Sequence, residues 1–165
     1  MAEITNLESK LAEVLGLAGA AKGATEKVKG MLDDDEQDIA GALEKMHDEA
    51  AETEERCIEV AGKFDGKKTA ILEEAREVKQ EATEMMETYL EGEEDALDGF
   101  EFLTMAEAGE VGHWAIVKKF NERAKNAAVA ELTDWALPIQ EGHLRAVREI
   151  SLELAGREDP DEVAA

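Results

Sequence analysis

The stretch that decides the fold is IAGALEKMHDEAAETEERCIEVAGKF, residues 39–64. Its apolar and small side chains recur in steps of three and four residues: Ile39, Leu43, Met46, Ala50, Thr53, Cys57, Val60 and Phe64. This spacing places all of them on one face of an α-helix and leaves the charged residues on the other face. Helix formers such as Ala, Glu, Leu and Lys dominate the whole sequence, and runs of β-branched residues are absent. The sequence therefore predicts an all-α protein.

Four further amphipathic helices are predicted around this one, in a chain of 165 residues that suits a single domain. They run from about 6 to 32, from 68 to 90, from 95 to about 125 and from about 127 to 155, and Thr5 and Glu8 have the spacing of a capping box. The loops are short, so we expect an antiparallel up-down bundle in which sequence neighbours pack together. The helical domain is predicted to span residues 1–157, and residues 158–165 to form a flexible tail.

Two of the helices depart from the one-faced pattern. The fourth is apolar over more of its circumference, and residues such as Trp114 and Phe120 predict a central position for it. The first contains Gly16, Gly19 and Gly23, each of which costs about 1 kcal/mol relative to alanine within a helix. These glycines either permit another helix to pack closely or indicate a helix of low stability.

The charge balance excludes several classes of partner. With 18 Lys and Arg against 41 Asp and Glu, the net charge is −23, which disfavours nucleic acids and anionic membranes. No apolar run is long enough to span a bilayer, and the first residues lack the pattern of a signal peptide. A single cysteine, Cys57, fits a reducing compartment, so a cytoplasmic location is expected. A homo-oligomer stays compatible with this composition.

The three histidines share a spacing that can serve a metal ion. Each follows a Glu or Gln by three residues: Glu44 and His47, Glu110 and His113, Gln140 and His143. Residues i and i+3 lie on one face of a helix, so a carboxylate and an imidazole can reach the same ion. Glu110, His113 and His143 continue apolar stripes and are predicted to point into the core. The pair of Glu44 and His47 flanks its stripe, which predicts a surface or rim position.

Carboxylates on the fourth helix lack a nearby cation in the sequence. No Lys or Arg occurs between Lys79 and Lys118, and both Glu107 and Glu110 lie in that interval. An ionised carboxylate in a core costs several kcal/mol unless it is paired, protonated or metal-bound. For Glu107 we favour a hydrogen bond to Thr104 or Trp114 as the compensating interaction.

The rise of an α-helix predicts which residues lie at one height in the bundle. Counted from the turn near residue 126, Glu110 and His143 are level to within about one turn at 1.5 Å per residue. Continuing through the short loops, the same level reaches Glu74 on the third helix and Glu54, beside Cys57, on the second. These side chains are therefore candidate ligands of a common site.

The long amphipathic helices, the inward Glu110-x-x-His113 and the histidine on the next helix resemble the ferritin-like superfamily over most of the chain. Members typically hold two iron or manganese ions with one Glu from each of two helices and Glu-x-x-His from each of the other two. The resemblance implies Glu110, His113 and His143 as core ligands for iron or manganese. It implies Glu74 and Glu54 as further carboxylates.

Two departures from that pattern leave the metal content open. Gln140 stands where a Glu is expected before His143, and a fifth helix is present, so a one-metal or degenerate site is an alternative to a two-metal site. The first functional hypothesis is an iron- or manganese-binding bundle that handles O2, peroxide or Fe(II) if it is redox-active. Whether it is an enzyme is left open.

The second hypothesis needs no metal. His113 and His143 would then be a buried pair hydrogen-bonded to Glu110 and Gln140. The protein would be an acidic interaction module whose surface, or whose glycine-containing first helix, binds a partner helix or drives oligomerisation. Under either hypothesis Cys57 is expected to pack as a small buried side chain, and Met85, Met86 and Met105 to fill the core.

Overall fold

The computed structural model describes residues 2–164; Met1 and Ala165, the last residue of the predicted tail, lie outside the described residues. Within them the chain forms the α-helices α1 (Asn6–Lys29), α2 (Ala40–Ala61), α3 (Lys68–Tyr89), α4 (Ala96–Ala124) and α5 (Ala127–Ala155), with a short 3-10 helix at Asp34–Ile39 before α2. Residues 2–164 contain no strand, so the all-α prediction is confirmed. None of the described helices combines the length and apolarity that crossing a bilayer requires.

The helices begin where capping side chains accept hydrogen bonds from their first turn. The predicted capping box is present: the Glu8 backbone N–H donates to Thr5 Oγ1 at 3.3 Å, and the Thr5 N–H donates to the Glu8 carboxylate at 2.7 Å. The side chains of Asp95 and Asn126 accept from backbone N–H groups at the starts of α4 and α5. Such caps satisfy amides that have no partner inside the helix. Local sequence therefore sets these three helix starts.

Contacts between helices define a ring of four. α1 packs against α2 and α4, α4 packs against α5, and α5 closes the ring against α2. α3 packs mainly against α1 and has few contacts with α2, so it lies on the outside of the ring. The expectation that sequence neighbours pack together is met for α1 and α2 and for α4 and α5. It is not met for α3, which has few contacts with α2 and fewer still with α4.

The central helix is α1 and not α4, so the prediction from α4's wide apolar surface was wrong. α1 is the helix with extensive contacts to three others. Its small residues allow this, because Ala12, Gly16 and Ala18 are all buried. The second apolar face of α4 is exposed instead, including Met105 at 49%. Met85 is 65% exposed as well, so neither methionine is the core residue that the sequence predicts.

Gly16 is buried where α3 crosses α1, and its lack of a side chain is needed there. A Cβ at Gly16 would clash with the backbone carbonyl of Ala75 and lie 2.8 Å from Val78 Cβ. At Gly23, by contrast, no described residue places an atom within 4 Å of a Cβ, apart from the adjoining backbone of α1. We therefore expect Gly16→Ala to lower the free energy of unfolding by about 1–3 kcal/mol through overpacking. Gly23→Ala should raise it by about 0.5–1 kcal/mol through helix propensity. Urea denaturation checks both, and equal shifts of the same sign would contradict the close crossing.

The core is interrupted by a polar layer near its middle. On α4, buried apolar residues end at Leu103 and resume at Trp114; on α5 they end at Ala136 and resume at Val147. Buried polar side chains lie between these limits on both helices. This polar layer is therefore the candidate functional site.

Candidate metal centre

Four buried side chains form the polar layer, and we call them the buried polar cluster: Glu107 and Glu110 on α4, and Gln140 and His143 on α5. Their exposed fractions are 2%, 4%, 1% and 5%, respectively. On each helix the two residues are three positions apart, so both side chains lie on the same face of that helix and point toward the other helix. The sequence-based expectation that His143 points into the core is met.

Within the buried polar cluster, two contacts one turn apart join α4 to α5. Gln140 Nε2 donates a hydrogen bond to Glu110 Oε2 at 2.8 Å. One turn along both helices, His143 Nδ1 lies 3.6 Å from Glu107 Oε2, which is beyond hydrogen-bond length. The other nitrogen of His143, Nε2, lies 3.6 Å from Oε1 of Glu49 on α2. The imidazole is therefore flanked by one carboxylate on each side.

Several polar atoms of this region are buried without a hydrogen-bond partner among the described residues: Glu107 Oε2, Trp114 Nε1, Gln140 Oε1 and His143 Nε2. Each unsatisfied buried atom costs about 1–3 kcal/mol, so folded proteins rarely gather them without reason. They all belong to α4 and α5, within and beside the buried polar cluster. Such a concentration is typical of a site that holds an ion or a polar ligand.

The two carboxylates of the buried polar cluster influence each other. Burial raises the pKa of Glu110 well above its ordinary value, and the nearby charge of Glu107 raises it further. The hydrogen bond from Gln140 lowers it only in part. In the metal-free protein, the Glu110 carboxyl group therefore takes up a proton more readily than an exposed glutamate does.

Cys57 lies fully buried on α2, as the sequence predicts. Burial raises the pKa of its thiol, and the charges of Glu54 and Glu110 raise it further. The thiol consequently stays protonated near neutral pH and is a poor nucleophile. Its position is that of a packing residue.

His113 differs from the sequence-based expectation. Its side chain is 40% exposed, and its Nδ1 lies 3.0 Å from Oε2 of Glu13 on α1. Glu13 also bonds Lys10 Nζ at 2.7 Å, so His113 ends a partly exposed chain of polar contacts between α1 and α4. The structure thus brings Glu110 and His143 into one cluster and gives His113 a different partner.

Glu74 and Glu54 also have other partners. Glu74 accepts a hydrogen bond from the hydroxyl of Ser9, because α3 lies outside the ring of four helices. Glu54 forms an ion pair with Lys22 of α1 at 2.8 Å. Their roles as metal ligands stay predictions, and neither side chain makes a hydrogen bond or ion pair with the buried polar cluster.

Sequence reasoning did not place Glu107 beside His143. The favoured interpretation was wrong: Thr104 Oγ1 donates to the Phe100 carbonyl, and Trp114 Nε1 has no hydrogen-bond partner among residues 2–164. The available signal was the i, i+3 spacing of Glu107 and Glu110 on a helix face without cations. Glu49 carries no comparable signal, because its approach to His143 depends on how α2 packs against α5.

Two other groups of titratable residues lie outside the cluster. His47 is on the rim, as predicted, but its Nε2 faces Glu26 at 3.0 Å and not Glu44. Ligand atoms of three residues at the start of the 3-10 helix lie within 4.8 Å of one another: Asp33, Asp35 and Glu36. Because these carboxylates are largely exposed, water can solvate them without an ion.

Two grooves lead from solvent to the buried polar cluster. A mainly apolar groove of about 260 Å³ between α1, α3 and α4 reaches Glu107 and Glu110. A more polar groove of about 380 Å³ between α2 and α5 reaches Glu49 and His143. An ion or small molecule can therefore approach the cluster through either groove.

No protein-family model, no curated protein and no solved structure matches this chain. The chemistry of the buried polar cluster is therefore the best indication of function, since a fold alone does not specify chemistry.

Proposed function

We propose that the protein binds one divalent transition-metal ion, iron or manganese, with Glu107, Glu110 and Nδ1 of His143 as ligands. One observation carries this proposal: Glu107 Oε2 is buried, has no hydrogen-bond donor among the described residues, and lies 3.6 Å from His143 Nδ1. A carboxylate oxygen in that position needs a proton or a cation. A bound ion would compensate the charge of Glu107 and Glu110 together.

The ligand set fits such an ion. Carboxylate oxygen and imidazole nitrogen suit first-row metals, with iron and manganese among those that accept both. Bonds of about 2.1 Å to one ion place neighbouring ligand atoms about 3 Å apart, so the 3.6 Å between Glu107 Oε2 and His143 Nδ1 requires only a small side-chain movement. Glu110 must turn further, because the ligand atoms of the three residues do not all lie within 4.8 Å of one another. When bound, the ion supplies Lewis-acid or one-electron redox chemistry.

Glu49 has a supporting role in this proposal. A metal-bound histidine usually donates its second ring N–H to a carboxylate, which sets the tautomer and the ring orientation. Nε2 of His143 faces Glu49 Oε1 at 3.6 Å, and Glu49 is in turn 3.7 Å from Lys45 Nζ. We therefore treat Glu49 as a positioning residue.

We also propose an antiparallel, ferritin-like arrangement of the ring helices. Support comes from the contacts of the buried polar cluster: as α4 advances from Glu107 to Glu110, the partner on α5 steps back from His143 to Gln140. The cluster offers one imidazole and two carboxylates, which favours one ion over the two that are typical of that superfamily.

A titration tests metal binding. Metal-depleted protein, dialysed against increasing Mn²⁺ or Co²⁺, is expected to bind about one equivalent per chain. Glu107→Gln should weaken binding at least about 100-fold, since it removes a charged ligand and not merely a supporting contact. Glu141→Gln changes the same charge on the exposed side of α5 and should leave binding unchanged. Absence of binding, or equal binding by Glu107→Gln, would leave the metal-free interaction protein as the better account.

A further inference from the structure

α4 carries an outward stripe of residues that the ring of four helices does not cover. We call it the outer α4 stripe; it follows steps of three and four residues: Asp98, Glu101, Met105, Gly109, Gly112, Ile116, Lys119 and Arg123. Between residues 102 and 117, every exposed residue of α4 is uncharged: Met105, Ala108, Gly109, Gly112, Ala115 and Ile116. An uncharged helix face of this length stands out in a chain with 36% charged residues.

The two ends of the outer α4 stripe carry opposite charges. The N-terminal end is acidic, with Glu93, Glu94, Asp95, Asp98 and Glu101, and the C-terminal end is basic, with Lys118, Lys119, Arg123 and Lys125. Within residues 2–164, Asp98, Glu101 and Arg123 have no ion-pair partner, whereas Lys119 bonds Glu122 at 2.7 Å. A hydrogen bond with Asp98 and the charges around it raise the pKa of Glu93, which reflects crowded like charges at the acidic end. Both ends can therefore accept charges from outside the chain.

The stripe is also symmetric about its middle. In each of three pairs, one residue lies as many positions before the midpoint between residues 110 and 111 as the other lies after it. These pairs are Asp98 and Arg123, Met105 and Ile116, and Gly109 and Gly112. Two copies of such a stripe match each other when they run in opposite directions. The acidic end of each then meets the basic end of the other, and each methionine meets an isoleucine.

We infer that the outer α4 stripe is a self-complementary interface through which two copies of this protein form a two-fold dimer. The glycines lie at the crossing point, where no atom of residues 2–164 outside the adjoining backbone of α4 lies within 4 Å of a Cβ built at Gly109 or Gly112. Helices can approach to about 8–10 Å there, because no side chain separates the backbones. A two-fold interface uses the same patch on both subunits, as this stripe requires.

Charge complementarity selects a second copy over another occupant. With a net charge of −23, two copies repel each other over most of their surface, so the uncharged stripe with its opposite ends is a favourable place to meet. A basic helix from another protein would match only the acidic end and would be repelled by Lys119 and Arg123. Exposed Met85 and Tyr89 of α3 lie beside Met105 and widen the apolar contact.

Charge reversal of each end tests the dimer in the full chain. Variant one carries Asp98→Lys and Glu101→Lys, and variant two carries Lys119→Glu and Arg123→Glu. Sedimentation equilibrium should give a wild-type dimer and at least about 100-fold weaker self-association of either variant, because like charges then face each other at both ends. An equimolar mixture of the two variants should form a heterodimer, because every facing pair is again opposite in charge.

The control variant carries Glu131→Lys and Asp134→Lys on the exposed side of α5, and it should dimerise like the wild type at about 0.15 M salt. Circular dichroism verifies that all variants keep their helices. A wild-type monomer at every concentration tested would overturn the inference. So would a dimer that neither reversal weakens, or a mixture that forms no heterodimer. The inference does not depend on metal binding.

Discussion

His143→Ala is expected to lose metal binding, whereas His113→Ala retains it. His143 is 5% exposed and its Nδ1 faces Glu107, while the His113 side chain is 40% exposed and pairs with Glu13. Removing the one imidazole ligand should weaken Mn²⁺ binding at least about 100-fold, more than loss of a supporting contact does. Equilibrium dialysis of the metal-depleted variants measures this difference directly.

His47→Ala provides the matched control for that experiment, because His47 also lies among carboxylates but on the rim. It should bind Mn²⁺ like the wild type. Equal losses in His113→Ala and His143→Ala would favour the ligand set that the sequence alone predicts. An effect of His113→Ala alone would contradict the proposed centre.

Glu110→Gln is expected to stabilise the metal-free protein at neutral pH. Burial raises the pKa of Glu110 above 4.5 in the folded state, so the folded chain holds this proton more tightly than the unfolded chain. The resulting stabilisation is complete below about pH 4.5 and is lost as the pH rises through the raised pKa. Glutamine does not ionise, so the variant should be more stable by about 1–3 kcal/mol at pH 7 and similar to the wild type at pH 4.5.

Urea denaturation in the presence of a chelator, repeated across this pH range, measures the difference. Glu141→Gln removes an exposed charge and should change the free energy of unfolding by less than about 0.5 kcal/mol. Mn²⁺ at about 1,000 times the wild-type Kd should reverse the order of stability, because it adds about 4.1 kcal/mol to the wild type and little to Glu110→Gln, which lacks a charged ligand. A pH-independent difference between wild type and Glu110→Gln would contradict the buried, proton-binding carboxyl group.

The sequence predicted the helices well because their signals are local. The capping box at Thr5 and the caps at Asp95 and Asn126 depend on neighbours within three residues. The inward position of His143 followed from its place in the stripe of α5. Helix rise placed it within one turn of its carboxylate partner, although that partner is Glu107 and not Glu110.

The rest of the fold and of the site depends on which helices pack against each other. The hydrophobic periodicity of single helices does not determine this. α3 lies outside the ring, so Glu74 contacts Ser9 and not the core. His113 lies where α4 faces α1, and Glu13 is the partner available there. A wide apolar surface on α4 is equally compatible with a central helix and with an outer face that a second molecule covers. Only the packing distinguishes these cases.

Anomalous diffraction from crystals of the Mn²⁺-loaded protein locates the bound ion itself. We expect one strong manganese peak per chain, bonded to Glu107, Glu110 and Nδ1 of His143. A peak at the exposed carboxylates of Asp33 and Asp35, or none inside the bundle, would contradict it.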